Sequence, residues 1–211
     1  MNWHQQMEKA LEQLKTSGAA TAEPLLKQAF ELAGDNAELK AMTHFNLGLV
    51  YYDLKRIKET EANFAQAIEL VQTELPKQNE IYGMFLKTMI EFYEKENRLL
   101  ESKKYYELEI EHTRNMFGAK HPYVANMICE LSDILIKSGE YAEARKRLTQ
   151  ALDIISAARG ADHAQNATIH KNLSTCYANL GQKDDAEYHK MRAEQLQEKG
   201  RKVENQKPPD L

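Results

Sequence analysis

Two cysteines among 211 residues leave this chain almost nothing to crosslink with. Cys129 and Cys176 fall in separate helical segments without metal-ligand spacing, so both are expected as reduced thiols in a core or groove. Proline is equally sparing: Pro76 and Pro122 sit where loops or first helical turns are expected, and there a missing N–H is harmless. No stretch alternates apolar and polar residues over a strand length beside turn signals, which excludes a β fold. No apolar run approaches the ~20 residues needed to span a bilayer. The start, Met1-Asn2-Trp3-His4-Gln5, shows no charged segment followed by an apolar core. A cytoplasmic location with no membrane partner is the expectation. Net charge is −4 with 28 % charged residues of both signs interspersed, which disfavours nucleic acid as the partner. The basic stretch Arg145 to Arg147 reads as a solvated helix face.

Catalytic signatures are missing as well. There is no HExxH, no P-loop and no GxSxG. Glu109-Ile110-Glu111-His112 has the Glu-x-x-His spacing of helical di-iron sites, but such a site needs a second copy and two further glutamates, and no second copy occurs. His163 and His170 lie two turns apart on one helix without a third ligand and read as solvated or capping residues. His121, before Pro122, is expected to serve a turn. The chain is expected to be no enzyme and to hold no cofactor and no metal.

What is present is a period. Leu47, Met89, Leu131 and Leu173 fall 42 residues apart, as do Tyr51, Tyr93, Leu135 and Tyr177. A fixed period of this size marks a stacked array of helical units, each burying its apolar face against its neighbours. Count each unit from Ala41, Gly83, Ala125 and Ala167. Positions 8, 20 and 27 are small in every unit apart from Ile90 and Glu109, as two closely crossing helices require. Positions 7, 11, 24 and 30 are apolar apart from Lys190 and His112. In the third unit, Val124, Met127, Ile128, Leu131, Ile134 and Leu135 predict a helix from about Pro122 to Lys137. Ser138-Gly139-Glu140 breaks it, and a second helix runs from Tyr141 to about Ala158. Four regular units are expected within 37–200, at about 41–82, 83–124, 125–166 and 167–200. A shorter, degenerate helical hairpin precedes them over 1–36, and a flexible tail follows over 201–211.

The small residue at position 8, leucine or aromatic at 11, alanine at 20 and 27 and large apolar residue at 24 resemble the tetratricopeptide repeat. The long unit is similar to that of kinesin light chains and related bacterial proteins. The closest echo is Phe117-Gly118-Ala119-Lys120-His121-Pro122-Tyr123-Val124-Ala125 followed by Ser138-Gly139-Glu140-Tyr141-Ala142-Glu143-Ala144. The heptad segment by which kinesin light chains recruit the motor is missing, so that role is not carried over. The resemblance implies an all-α superhelix, a solenoid of antiparallel helical hairpins with about ten helices. It also implies that the first helix of each hairpin lines a concave groove. The groove residues would be Met42, Phe45, Asn46, Leu49 and Tyr52 in the first regular unit and Lys87 and Glu91 in the second. Asn126, Glu130 and Asp133 would follow in the third, and Lys171, Asn172 and Thr175 in the fourth. Such a groove runs from apolar and aromatic to charged and then polar.

The implied function is a non-catalytic interaction scaffold or adaptor that takes a peptide or protein segment in its groove. Two alternatives stand beside it: a regulatory subunit or secretion-type chaperone holding an enzyme or exported protein, and a self-associating assembly module. The expected oligomeric state is a monomer or weak homodimer. A clamp for C-terminal carboxylates would need lysines and asparagines where the chain has Phe45, Leu49, Thr88, Asn126 and Glu130. Glu91, Glu94, Glu130 and Asp133 disfavour a strongly acidic partner.

Overall fold

Four residues at intervals of 42, Lys55, Asn97, Gly139 and Gly181, adopt left-handed backbone conformations with φ of 60, 56, 77 and 75°. At each, the residue's own N–H donates to the carbonyl three positions back, at 3.0 to 3.1 Å. The following N–H (Arg56, Arg98, Glu140, Gln182) donates to the carbonyl of Tyr51, Tyr93, Leu135 or Tyr177 at 2.8 to 2.9 Å. This pair of bonds satisfies the last carbonyls of a helix and reverses the chain. The turn at Gly139 is where the sequence predicts a break; Lys55 and Asn97 make the same turn without glycine.

A computed structural model describes residues 1–76 and 79–205 of the chain. Ten helices result: α1 (Trp3–Ser17), α2 (Ala19–Leu32), α3 (Ala37–Asp53), α4 (Ile57–Glu74), α5 (Glu80–Lys95), α6 (Leu99–Phe117), α7 (Pro122–Lys137), α8 (Tyr141–Arg159), α9 (Gln165–Asn179) and α10 (Lys183–Asn205). No strand occurs among the described residues. The helices of the third repeat lie where the periodicity puts them, with Pro122 opening α7 and His121 capping it through Nδ1, which accepts from the Tyr123 N–H at 3.3 Å. Helix α10 continues to Asn205, into the segment expected as a tail; the rest of that segment, 206–211, lies outside the described residues. Two compact units make up the chain, residues 1–89 and 90–211, with the boundary inside α5.

In the first unit, α1 packs on α2, α2 on α3 and α3 on α4. Trp3, Met7 and Ala10 of α1 join Ala22, Leu26 and Ala29 of α2 and Leu47, Val50 and Tyr51 of α3 in one buried cluster. The Trp3 indole N–H donates to the Thr43 hydroxyl at 2.9 Å, which satisfies the polar edge of a ring that is only 8 % exposed. Helices α3 and α4 touch most closely at Gly48, where a Cβ would stand 2.5 Å from the Phe64 ring. In the second unit α6 packs on α7, α7 on α8, α8 on α9 and α9 on α10. Leu131, Leu135, Leu148 and Ile155 are fully buried there. Ser132, at the crossing position, turns its hydroxyl back onto the Ile128 carbonyl at 2.7 Å, so the small residue brings no orphan polar group into the contact. Glu109 and His112 break the small-and-apolar pattern in sequence, yet both are buried, at 4 % and 6 % exposure.

Within each unit, polar contacts tie neighbouring hairpins together at a fixed register. Position 21 of one hairpin meets position 16 of its successor: Glu23 holds Arg56 at 3.0 Å in the first unit. In the second unit Lys103 holds Glu140 at 2.6 Å and Arg145 donates to Gln182 at 2.8 Å. Lys27, and after it Arg56, keep the Glu23 carboxyl below its ordinary pKa. The α8–α9 loop is fastened differently. The Asn166 amide, fully buried, donates to the Gly160 and Ala161 carbonyls and the Ser156 hydroxyl at 3.0 to 3.2 Å.

Two substitutions test this packing. Gly48→Ala gains ~1 kcal/mol of helix propensity, but overpacking against a buried ring costs ~1–3 kcal/mol. Phe64 is 2 % exposed and lies against Phe45 with 5.5 Å between ring centroids, so it has little room to yield. The melting temperature should fall; an unchanged or raised value contradicts the close crossing. Lys55→Gly should do the reverse. Removing the Cβ relieves ~1–2 kcal/mol of left-handed strain against ~0.5–1 kcal/mol of added chain entropy, so thermal unfolding should shift upward.

Candidate functional site

Helices α3, α5, α7 and α9 are the first members of their hairpins, and the thirteen groove residues expected from the sequence all lie on them. The two units present these residues in different states. In the first, Phe45 is withdrawn: at 7 % exposure it stacks on Phe85 with ring centroids 4.3 Å apart and leans on Phe64. The reason is local, since Phe85, and Phe64 seated against Gly48, supply aromatic surface for Phe45 to cover. Phe45 is therefore core, and offers a ligand almost no surface. Met42 is half-buried against the first unit's apolar cluster. The Asn46 amide donates to the Met42 carbonyl of its own helix at 2.8 Å. Leu49 and Tyr52 remain half-exposed, with the Lys55 ammonium 5.4 Å from the Tyr52 ring centre. Lys87, on α5, is exposed.

In the second unit the face is polar and cross-braced. The Asn172 amide on α9 donates to the Asp133 carboxylate on α7 at 2.7 Å. The Gln165 amide donates to Asn126 Oδ1, again from α9 to α7. Tyr106 reaches up from α6, and its hydroxyl donates to Glu94 of α5 at 3.0 Å. Burial, then the carboxylates of Glu94, Glu130 and Asp133, hold that hydroxyl well above its ordinary pKa. Burial raises the Asp133 carboxyl, with the Asn172 amide and Lys137 opposing. The Cys129 thiol is pushed up to about 12, chiefly by burial and further by Asp133 and Glu130. Three carboxylates thus converge on one patch built from α5, α7 and the tip of Tyr106. Glu91 stands at its edge, 3.8 Å from Lys95.

Beyond α9 lies an open cleft of about 320 Å³, lined by Lys171, Ser174 and Thr175 of α9 and Lys190, Glu194 and Gln197 of α10. The Thr175 hydroxyl donates to the Lys171 carbonyl at 3.3 Å. One repeat earlier the positions of Lys190, Glu194 and Gln197 hold Leu148, Leu152 and Ile155, and Leu148 and Ile155 are fully buried. The register that takes an apolar contact in α8 is hydrophilic in α10.

The structure brings Asn172 to Asp133 and gathers Glu130 and Asp133 about Cys129. It adds Tyr106 and Gln165, which the sequence reading missed. Tyr106 belongs to the second helix of its hairpin, at position 24 where the period expects an apolar side chain, and only the spatial register places its hydroxyl at the face. Among the described residues no group of three or more His, Cys, Asp or Glu could hold a metal ion. His163 caps a turn, Nδ1 accepting from the Gln165 N–H at 3.3 Å. His170, expected as solvated or capping, is instead 6 % exposed and packed against His189. No helix among the described residues is long and apolar enough to cross a membrane.

Comparison with known proteins follows the same lines. Residues 83–154 and 123–199 match a family model described as tetratricopeptide repeat, and residues 43–71 match a second model of that description. No curated protein matches the sequence. Among solved structures, the chain is similar to BtubC (BKLC) from P. vanneervenii, with 17 % identity, 96 % of this chain and 80 % of that one covered, and a TM-score of 0.63. A putative kinesin light chain from Podosopora anserina, with nearly identical TPR-like repeats, gives 16 % identity, 93 % and 95 % coverage and a TM-score of 0.65. MamA from Desulfovibrio magneticus RS-1 gives 10 % identity, 93 % and 96 % coverage and a TM-score of 0.56. At these identities the likeness shows the fold.

Burial and neighbouring carboxylates make Cys129 a poor nucleophile. With its pKa near 12 against the ordinary 9, the native thiolate population should be lower by about a hundredfold or more. A thiol reagent at pH 8 should modify Cys129 of a Cys176→Ser variant at least about a hundredfold more slowly in the folded chain than in denaturant. Comparable rates in both states would contradict the packing of α7.

Proposed function

The chain belongs to the tetratricopeptide repeat family, and on that ground we propose that it is a non-catalytic scaffold that holds a segment of another protein against the first helices of its hairpins. The observation that carries this reading is the braced polar face of the second unit. Asn172–Asp133, Gln165–Asn126 and Tyr106–Glu94 fix side chains across helices before any partner arrives. A surface already ordered leaves only the incoming segment to lose conformational freedom, which costs ~2–5 kcal/mol. Roughly micromolar affinity follows for a short segment.

The charge of the face selects the partner. Glu94, Glu130 and Asp133 converge there around the Tyr106 hydroxyl, and exposed carboxylates so grouped favour a lysine or arginine between them and repel an acidic chain. The partner is thus a neutral to basic peptide segment, met in the cytoplasm. In the first unit Leu49 and Tyr52 offer an apolar contact, while Phe45 contributes only from the core. Self-association through an exposed apolar end of the array remains the alternative: at the last hairpin Lys190, Glu194 and Gln197 line a hydrophilic cleft, while Tyr188 and Met191 stand exposed.

Selection of random peptides on the purified chain tests the proposal. Recovered sequences should be enriched in Lys or Arg. Their binding should weaken at least about tenfold in Glu130→Lys, with helix content and melting unchanged, and should weaken with added salt. Acidic or charge-indifferent peptides, or equal binding to the variant, would refute the assignment.

A further inference from the structure

In the first and last regular hairpins, position 4 of the first helix stands beside position 23 of the second. In the first unit that pair is His44 and Asn63, with Nδ1 and Oδ1 2.9 Å apart. An amide oxygen only accepts, so His44 Nδ1 must carry hydrogen. It does so whether the ring is neutral or charged, so this bond survives protonation. In the last hairpin the same two positions hold His170 and His189, with Nδ1 2.7 Å from Nδ1. That contact needs one nitrogen with hydrogen and one with a lone pair. One added proton can sit on the donor ring and leave the bond intact; once both rings are charged the lone pair is gone, the bond breaks and two cations stand face to face.

The surroundings offer little relief. His170 is 6 % exposed, and the His189 ring stacks on Tyr177 of α9 with centroids 5.1 Å apart and 11° between planes. Tyr188 of α10 meets His189 edge-on at 5.1 Å. From α10, Asp185 favours charge on His189 while Arg192 opposes it on His170. From α8, the Arg145 guanidinium lies 5.5 Å over the Tyr177 ring. Helix α7 reaches α9 through Asp133, whose carboxylate is already held by Asn172. Arg192 is itself held by the Asp162 carboxylate, so burial is the main obstacle to charging the rings. Burial, then the charge of His189, lowers His170 to about 4, and burial lowers His189 as well.

We propose that the α9–α10 hairpin is an acid-released element: the hydrogen bond between neutral His170 and His189 closes it at neutral pH, and protonation of both rings loosens α10 from α9. Since α9 carries Lys171, Asn172 and Thr175, acid would dismantle that end of the interaction face. The sign follows from linkage. The unfolded chain takes up imidazole protons near pH 6.5, while in the folded chain His170 resists until about pH 4 and His189 is also held below its ordinary value. Stability from the pair is complete above pH 6.5 and is lost as pH falls through that window.

The test needs no partner, so it stands apart from the fate of the peptide proposal. Thermal unfolding of the full chain is compared with His189→Asn, which installs the pairing already used at His44. Between pH 7.5 and 5.0 the wild-type midpoint should fall by about 3 °C or more beyond the fall of the variant; parallel curves would overturn the proposal. Ring ¹⁵N spectra of the wild type supply a reading that does not depend on the variant folding. At pH 6.5 one ring should be the Nδ1–H tautomer and the other the Nε2–H tautomer. Two rings that both become imidazolium near pH 6.5, with the α10 amides undisturbed, would reject it.

Discussion

Backbone proximity between the paired helices is the constraint on which everything else hangs. Where α3 crosses α4, Gly48 leaves no room for a Cβ beside Phe64. Elsewhere Ser132, Thr60, Ser102 and Ala144, all fully buried, keep the same approach open. Large side chains at the crossing would separate the helices and strand the leucines and aromatics that fill the space around it. The hydroxyls among these small residues bond to carbonyls of their own helices, so closeness is obtained without unsatisfied polar atoms. Density of packing, more than any single contact, then sets how firmly the first helices present their outer faces.

From that presentation the chemistry of the second unit follows. Neighbouring first helices stand near enough for Asn172 to reach Asp133 and for Gln165 to reach Asn126. The same spacing lets Tyr106 rise between them to Glu94. Partial burial then acts on the acids and the thiol together, lifting Asp133, Tyr106 and Cys129 above their ordinary values. A surface of this kind is cross-braced and electronegative.

The architecture was largely legible in the primary sequence because a period repeats its message. A single Gly139 is ambiguous; Gly139 and Gly181 at the same position of successive units are a turn. That inference had a blind spot at Lys55 and Asn97, which adopt the same left-handed geometry without glycine, since the hydrogen bonds around the turn outweigh the strain. The face was less legible. Spacing tells which helix a residue sits on, but not whether a neighbour such as Phe85 draws Phe45 inward. It likewise hides residues like Tyr106 that cross from the second helix. Pairings such as His170–His189 are visible only once two helices are laid together, because neither residue departs from ordinary helix composition.

The contacts between position 21 of one hairpin and position 16 of its successor differ in polarity along the chain. Glu23 meets a guanidinium in Arg56, Lys103 meets a carboxylate in Glu140, and Arg145 meets a neutral amide in Gln182. Each such pair at a wet surface adds little stability, but mismatched like charges repel. The repeats share one geometry and are nevertheless not interchangeable tiles. Lys103 set against Arg56, or Glu23 against Glu140, would bring like charges together, so these edges cannot be exchanged without repulsion.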